Sequence, residues 1–311
     1  MNTVPVFSRL SHPLPLLLLL SGLLFFFRLG SPGLMDPDEG RDAESARALL
    51  ASGDFITPQL NFLPYLEKPP LVYWLTALSL WLGGMNEWAA RSVPALSALL
   101  GVGAVYWLGL RLWGPTTAFL AGMVTATSSG YFLLGRILIL DMTLTALVTW
   151  AVALGYLAGR QQQRRYLPWA YLAMGLGVLA KGPVALALPA LIFGVWFLIR
   201  RQWLGLLQLW HTGGVGILIL LVAPWYMLVA WQNPDFWHYF FYQEHLQRYL
   251  TPRIHAGQPF YFYLGVLVTG FLPWSFLLPW AWRATAPGPD SRGEGADRLF
   301  LVVWFAVIFF F

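Results

Sequence analysis

Five of the chain's 14 acidic residues, Asp36, Asp38, Glu39, Asp42 and Glu44, crowd into the stretch from Leu34 to Arg47. They follow directly on an apolar run, Leu14 to Leu29, where polar groups are costly. Helix capping accounts for part of the cluster: Asp36 caps, Pro37 takes the first turn and Glu39 closes a capping box. Asp38 and the acids after it are left over. A carboxylate placed here can act as general base towards a hydroxyl.

Four other constellations carry charge in apolar company. Tyr65-Leu-Glu67-Lys68-Pro-Pro70 reads either as an interfacial turn with a snorkelling lysine or as a rigid turn presenting a point charge to a phosphate. Arg136 and Asp141 flank Ile-Leu-Ile-Leu and are expensive there unless paired or facing a wet cavity. Lys181, in Leu-Ala-Lys-Gly-Pro-Val, separates two apolar runs and fits a snorkelling lysine at a re-entrant turn. In Glu244-His245-Leu-Gln-Arg248, an i,i+4 helix pair is the plain reading, and one His with one Glu falls short of a metal signature. Trp225, Tyr226, Trp231, Trp237, Tyr239, Tyr242 and Tyr249 read mostly as an interfacial aromatic belt.

The elements that must position these groups are set by composition. The 311 residues are 58% hydrophobic, 17% aromatic and 11% charged, against roughly 25% charged in soluble domains. An all-α polytopic membrane protein follows, with the +5 net charge serving topology and no nucleic acid implied. There is no cysteine, which excludes disulfides and thiolate sites. Hydropathy places about nine spans, at 13–30, 88–112, 115–135, 141–159, 166–181, 183–200, 208–231, 260–282 and 298–311. The first is a retained signal anchor, since no small-residue cleavage site follows it. The last stops in mid-span, as expected of a fragment.

Between the first two spans lies a long loop, 31–87, with two expected interfacial helices. One covers Glu39 to Leu50, with Ala43, Ala46 and Leu50 on one side and Arg41, Asp42 and Ser45 on another, stopping at Ser52-Gly53. The other covers Pro69 to Leu82. With a cytoplasmic N-terminus, Arg111, Arg160, Arg164, Arg165, Arg200, Arg201, Arg283, Arg292 and Arg298 fall on the inner connections, the positive-inside pattern. Residues 284–297 are then a flexible cytoplasmic linker. Only Asp290, Glu294 and Asp297 stay inside with it, so the other eleven acids face out. The chemistry is expected outside.

The ordered motifs resemble a known family. They are Asp-Glu-Gly-Arg at 38–41, Ser-Gly-Asp at 52–54, Glu-Lys-Pro-Pro-Leu at 67–71, Ala-Ala-Arg at 89–91, Arg136 with Asp141, and Lys-Gly-Pro at 181–183. Pro-Trp-Tyr at 224–226, Glu-His-x-x-Arg at 244–248 and Pro-Phe-Tyr-Phe-Tyr at 259–263 complete the series. The series is similar to the bacterial GT-C lipid-linked-sugar glycosyltransferases, the group of aminoarabinose (ArnT-like) transferases and dolichyl-phosphate-mannose protein mannosyltransferases.

The resemblance implies a GT-C type transmembrane helix bundle spanning 1–311, with further spans and often an exterior domain beyond it. It implies inverting transfer of a sugar from a polyprenyl-phosphate donor to a lipid, protein or glycan acceptor at the periplasmic face of the inner membrane, among membrane lipids. Asp38 would be the general base and Asp141 a second acidic site, with Glu39 beside them as a further catalytic candidate. Lys68 and Arg248 would bind the lipid phosphate, with Arg41, Arg136 and Lys181 as further substrate-binding candidates. Glu67 and His245 would hold a divalent metal (zinc or similar) in a structural role, with no cofactor required for catalysis. Two rival classes are a transporter or channel with an outward-facing charged cavity, and a non-catalytic scaffold. Transport predicts ionisable residues at mid-membrane and an internal repeat. The charges here sit at span ends and no repeat is present.

Overall fold

The computed structural model describes residues 13–247, 259–284 and 294–311. Helix α1 (Leu14–Phe26) leads into α2 (Asp38–Ser52), a two-rung antiparallel ladder of β1 (Gln59–Leu60) and β2 (Leu63–Pro64), and α3 (Leu71–Gly83). Asn61 and Phe62 close the ladder with φ of 52° and 66°, the left-handed pair that two-residue hairpin turns require. There follow α4 (Glu87–Trp113), α5 (Pro115–Thr127), α6 (Ser129–Leu134), α7 (Leu140–Arg160), α8 (Leu167–Lys181), α9 (Val184–Ile199), α10 (Gly205–Gln208) and α11 (Thr212–Gln232). A π-helical segment, His238–Gln247, then precedes α12 (Phe260–Gly270), α13 (Leu278–Ala284) and α14 (Glu294–Phe310).

This is a multi-pass, all-helical membrane bundle. Helices α4, α7 and α11 are each long and apolar enough to cross a membrane alone. The remaining expected spans are shorter helices, α1 ending at Phe26. Helix α4 packs against α1, α3, α5 and α7; α7 also meets α8 and α9, α8 meets α11, and α14 packs on α9. Asp141 lies in the first turn of α7 and Arg160 in its last, about 30 Å apart at 1.5 Å per residue. The acidic and the basic ends of the bundle are thus a membrane thickness apart.

Three expectations need correction. The 260–282 stretch is not one straight span: its two halves meet at 106°. Pro273 cannot continue a helix, and the break is held where Ser129 N donates to Leu272 O (2.9 Å) and Trp274 Nε1 donates to Thr127 Oγ1 (2.9 Å). Gly130 and Gly270 touch there backbone to backbone, 3.1 Å from where a Cβ at Gly130 would sit. The 115–135 span is likewise divided, into α5 and α6. The expected linker 284–297 is helical from Glu294, and Asp297 is 2% exposed, accepting from Tyr156 Oη (2.5 Å) and Arg160 Nε (3.0 Å). Residues 285–293 lie outside the described residues.

Within the first loop both expected helices form, and Gly53 ends α2 in the left-handed region (φ 71°), its N–H bonded to Leu49 O. The face of α2 turned inward draws on both sides of the helix. Glu39, Asp42, Ser45, Ala46 and Leu49 are buried, whereas Ala43 and Leu50 are only partly covered. The packed side carries polar groups, and its charges must be satisfied internally.

Candidate active site

Glu39 and Arg91 form a knot that holds one end of the bundle together. Arg91 donates to both Glu39 oxygens (2.8 and 2.7 Å) in a bidentate fork. Its remaining hydrogens go to the carbonyls of Leu29 (3.2 Å), Pro32 (2.7 Å) and Gly33 (2.8 Å). Glu39 also accepts from Met35 N (2.9 Å) and Leu138 N (2.8 Å). One buried ion pair therefore joins the end of α1, the start of α2, α4 and the loop before α7. Burial works to raise the Glu39 carboxyl, but the bonds from Arg91, Leu138 and Met35 outweigh it and hold its pKa below the usual range. The capping box does not form: α2 has no side-chain cap, and Glu39 reaches past Asp36 to Met35. Glu39, a catalytic candidate by sequence, is 1% exposed and wholly engaged.

That knot leaves Asp38, the next residue, facing out. Asp38 is 57% exposed and pairs with Arg41 Nη2 at 3.0 Å. The same guanidinium donates through Nε to Asp42 Oδ1 at 3.2 Å, and Asp42 is 1% exposed. Burial pushes the Asp42 carboxyl up to about 6 against the pull of Arg41, and Lys68 is near enough to act in the same sense as Arg41. Lys68 Nζ is 3.9 Å from Glu244 Oε2. The segment His238–Gln247 is π-helical, and Arg248, the expected i,i+4 partner of Glu244, lies outside the described residues.

Loop 55–57 ties α3 to α11. Trp74 Nε1 donates to Phe55 O (2.8 Å), Trp225 Nε1 to Ile56 O (2.9 Å) and Thr57 Oγ1 to Gln232 Oε1 (2.8 Å). Trp225 and Tyr226 are buried against Phe236 and are not part of a lipid-facing belt; Tyr249 lies outside the described residues.

Asp141 accepts from Lys181 Nζ, which joins the starts and ends of neighbouring antiparallel helices. Leu138, three residues before Asp141, is tied by its N–H to Glu39. Arg136 lies between α6 and α7. Its Nη1 donates to Leu24 O (3.0 Å) and Phe25 O (2.9 Å), closing the carbonyl end of α1.

Of the sequence candidates, Asp38, Arg41, Lys68 and Glu67 lie together at one end, with Asp141 at the start of α7 and Lys181 at the end of α8 packed beside them. Glu39 and Arg136 are built into the frame. Glu67 accepts from Tyr65 Oη (2.8 Å) and is hydrogen-bonded to Tyr239, while the His245 side chain lies outside the described residues. Among the described residues no group of three His, Cys, Asp or Glu could hold a metal. Sequence reasoning missed Asp42 as a buried group and Arg91 as the partner of Glu39. The signal for Arg91 was present as an arginine inside the otherwise apolar α4.

The family profile described as dolichyl-phosphate-mannose-protein mannosyltransferase matches residues 67–234. An undecaprenyl phosphate-alpha-4-amino-4-deoxy-L-arabinose arabinosyl transferase of Erwinia tasmaniensis is 35% identical over 291 residues, which cover 91% of this chain and 51% of the relative. The protein of the same name from Pectobacterium carotovorum is 36% identical over 293 residues, covering 93% and 52%. The crystal structure of ArnT from Cupriavidus metallidurans bound to undecaprenyl phosphate superposes with a TM-score of 0.86 at 33% identity, over 95% of this chain and 54% of that one. This chain spans about half the length of these relatives.

Proposed function

The chain belongs to the dolichyl-phosphate-mannose-protein mannosyltransferase family, and from that membership we propose that it is an inverting glycosyltransferase. It moves a sugar from a polyprenyl-phosphate donor to a lipid, protein or glycan acceptor on the outer, periplasmic face of the inner membrane. The observation that carries this reading is the convergence at one end of the bundle of an exposed carboxylate, Asp38, with a cation on a rigid turn, Lys68. Two relatives are arabinosyl transferases of undecaprenyl phosphate, and a solved neighbour holds undecaprenyl phosphate itself. Transport is disfavoured by the placement of charges at helix ends.

The chemistry follows from the charges. Asp38 takes the proton of the acceptor hydroxyl or amine as that atom attacks the anomeric carbon from the face opposite the phosphate. The bond from the anomeric carbon to the phosphate oxygen breaks, and the electron pair leaves on the polyprenyl phosphate. Lys68 meets that charge together with Arg248, so the leaving group needs no strong general acid. Asp141, held by Lys181, orients the sugar or the acceptor. Residues 31–87 form the outer platform, with α2 and α3 lying along the membrane interface, and 284–297 is the cytoplasmic connection.

Lys68→Ala tests the phosphate contact. A hydrogen bond to a charged group is worth about 1.5–3 kcal/mol, so kcat/KM for the donor falls roughly 10- to 100-fold, mostly through KM. Lys68→Arg keeps most of the affinity. Initial rates against donor concentration decide it, and an unchanged KM in Lys68→Ala removes Lys68 from the phosphate site.

A further inference from the structure

Arg41 is shared between two carboxylates of opposite exposure. It reaches Asp38 with Nη2 (3.0 Å) and Asp42 with Nε (3.2 Å). The Asp38–Arg41 contact alone is an ordinary i,i+3 pair on an exposed helix face. Asp42 adds something that such a pair does not need. It is a 1% exposed carboxylate whose second oxygen, Oδ2, has no hydrogen-bond partner, and Tyr73 Oη, buried nearby on α3, has none either. A buried carboxylate with half its acceptors empty is costly to keep charged. A carboxylate retained at such cost points to a role beyond packing.

We propose that Asp42 is a positioning residue for the transfer reaction, taking up part of the Arg41 charge so that Arg41 orients Asp38 without suppressing its ability to accept a proton. The inference rests on the reading of Asp38 as the base. The groups facing Asp42 are Arg41 and Asp38 on α2, Lys68 and Tyr65 from the turn before α3, and Tyr73 on α3. Tyr65 is turned to Glu67. Arg41 and Lys68 are cations near it, and Arg41 touches Asp38 as well. When Asp42 carries its charge, the guanidinium is balanced from below. When Asp42 is neutral, the whole guanidinium charge falls on Asp38 and opposes proton transfer to it.

Burial already brings Asp42 to about 6, so the balance changes within the working pH range. The native enzyme should therefore lose activity as pH falls through about 6, where Asp42 takes up its proton. Asp42→Asn imposes the neutral state at every pH. Its kcat at neutral pH should fall about tenfold, a fraction of the full contribution of a general base. Donor KM should stay unchanged, and the inflection near pH 6 should disappear.

The test is the pH dependence of kcat and donor KM for the purified enzyme, Asp42→Asn, Arg41→Gln and the double variant. The proposal requires that Asp42→Asn remove the inflection and that it have no further effect once Arg41 is Gln, because its action runs through that side chain. A uniform loss of activity with the native pH profile retained would assign Asp42 a purely structural role and overturn the proposal, as would native activity in Asp42→Asn. Should Asp42→Asn fail to accumulate, the native profile still decides: a rate flat from pH 5 to 8 overturns it. Asp38→Asn runs alongside. If that variant stays active, the base assignment falls, whereas an inactive Asp38→Asn with an unaltered Asp42→Asn removes this inference alone.

Discussion

Asp38→Asn abolishes most sugar transfer, lowering kcat by about 100- to 10,000-fold, the usual contribution of a positioned general base. Donor binding survives, because the donor phosphate is met by cations elsewhere and the Asn side chain still accepts from Arg41. The substitution is isosteric on an exposed side chain, so the fold is not at stake. The expected signature is an unchanged KM for the polyprenyl-phosphate donor with kcat collapsed, and no change in thermal stability. Single-turnover assays with a labelled donor measure it. A kcat within tenfold of native would move the base to Asp141, the other acid at that end of the bundle.

The second large effect is on the fold. Arg91→Ala leaves Glu39 as an uncompensated buried charge and strips partners from the Leu29, Pro32 and Gly33 carbonyls. Breaking a buried ion pair by removing one partner costs about 3–5 kcal/mol, a large share of the roughly 5–15 kcal/mol that holds a typical domain folded. The melting temperature in detergent should drop sharply, with much of the protein lost on purification. Arg91→Lys should rescue little, since an ammonium cannot supply the fork and the three carbonyl bonds together. The pH dependence has a definite sign. Glu39 is held below its ordinary value of 4.5, so its contribution is fully present above 4.5 and is lost as pH falls through the lowered folded value. A native melting temperature in Arg91→Ala would show that the knot is dispensable.

Much of this was legible from residue order. The first-loop helices, the stop at Gly53, and the separation of acids from arginines at opposite ends of α7 all follow from local periodicity, turn chemistry and charge placement. What local signals cannot carry is partnership across the chain. Glu39 finds Arg91 52 residues away and Leu138 99 residues away. Nothing in the spacing of Asp36-Pro-Asp-Glu distinguishes that from a capping box. The inward face of α2 depends on such partners too. Helical spacing identifies an apolar side, but α2 also packs acids inward, where Arg41 and Arg91 supply the partners. The 106° break at Pro273 was foreseeable from the proline, yet hydropathy averages over such breaks.

The central claim is that this end of the bundle transfers sugar from a lipid phosphate. Its most direct test is turnover by the purified protein in lipid nanodiscs, given synthetic polyprenyl-phosphate sugars and assayed for free polyprenyl phosphate and the configuration of the new glycosidic bond. The expected result is release of polyprenyl phosphate with inversion at the anomeric carbon, abolished in Asp38→Asn and weakened at low donor concentration in Lys68→Ala. No release from any polyprenyl-phosphate sugar, or a product with retained configuration, would contradict it.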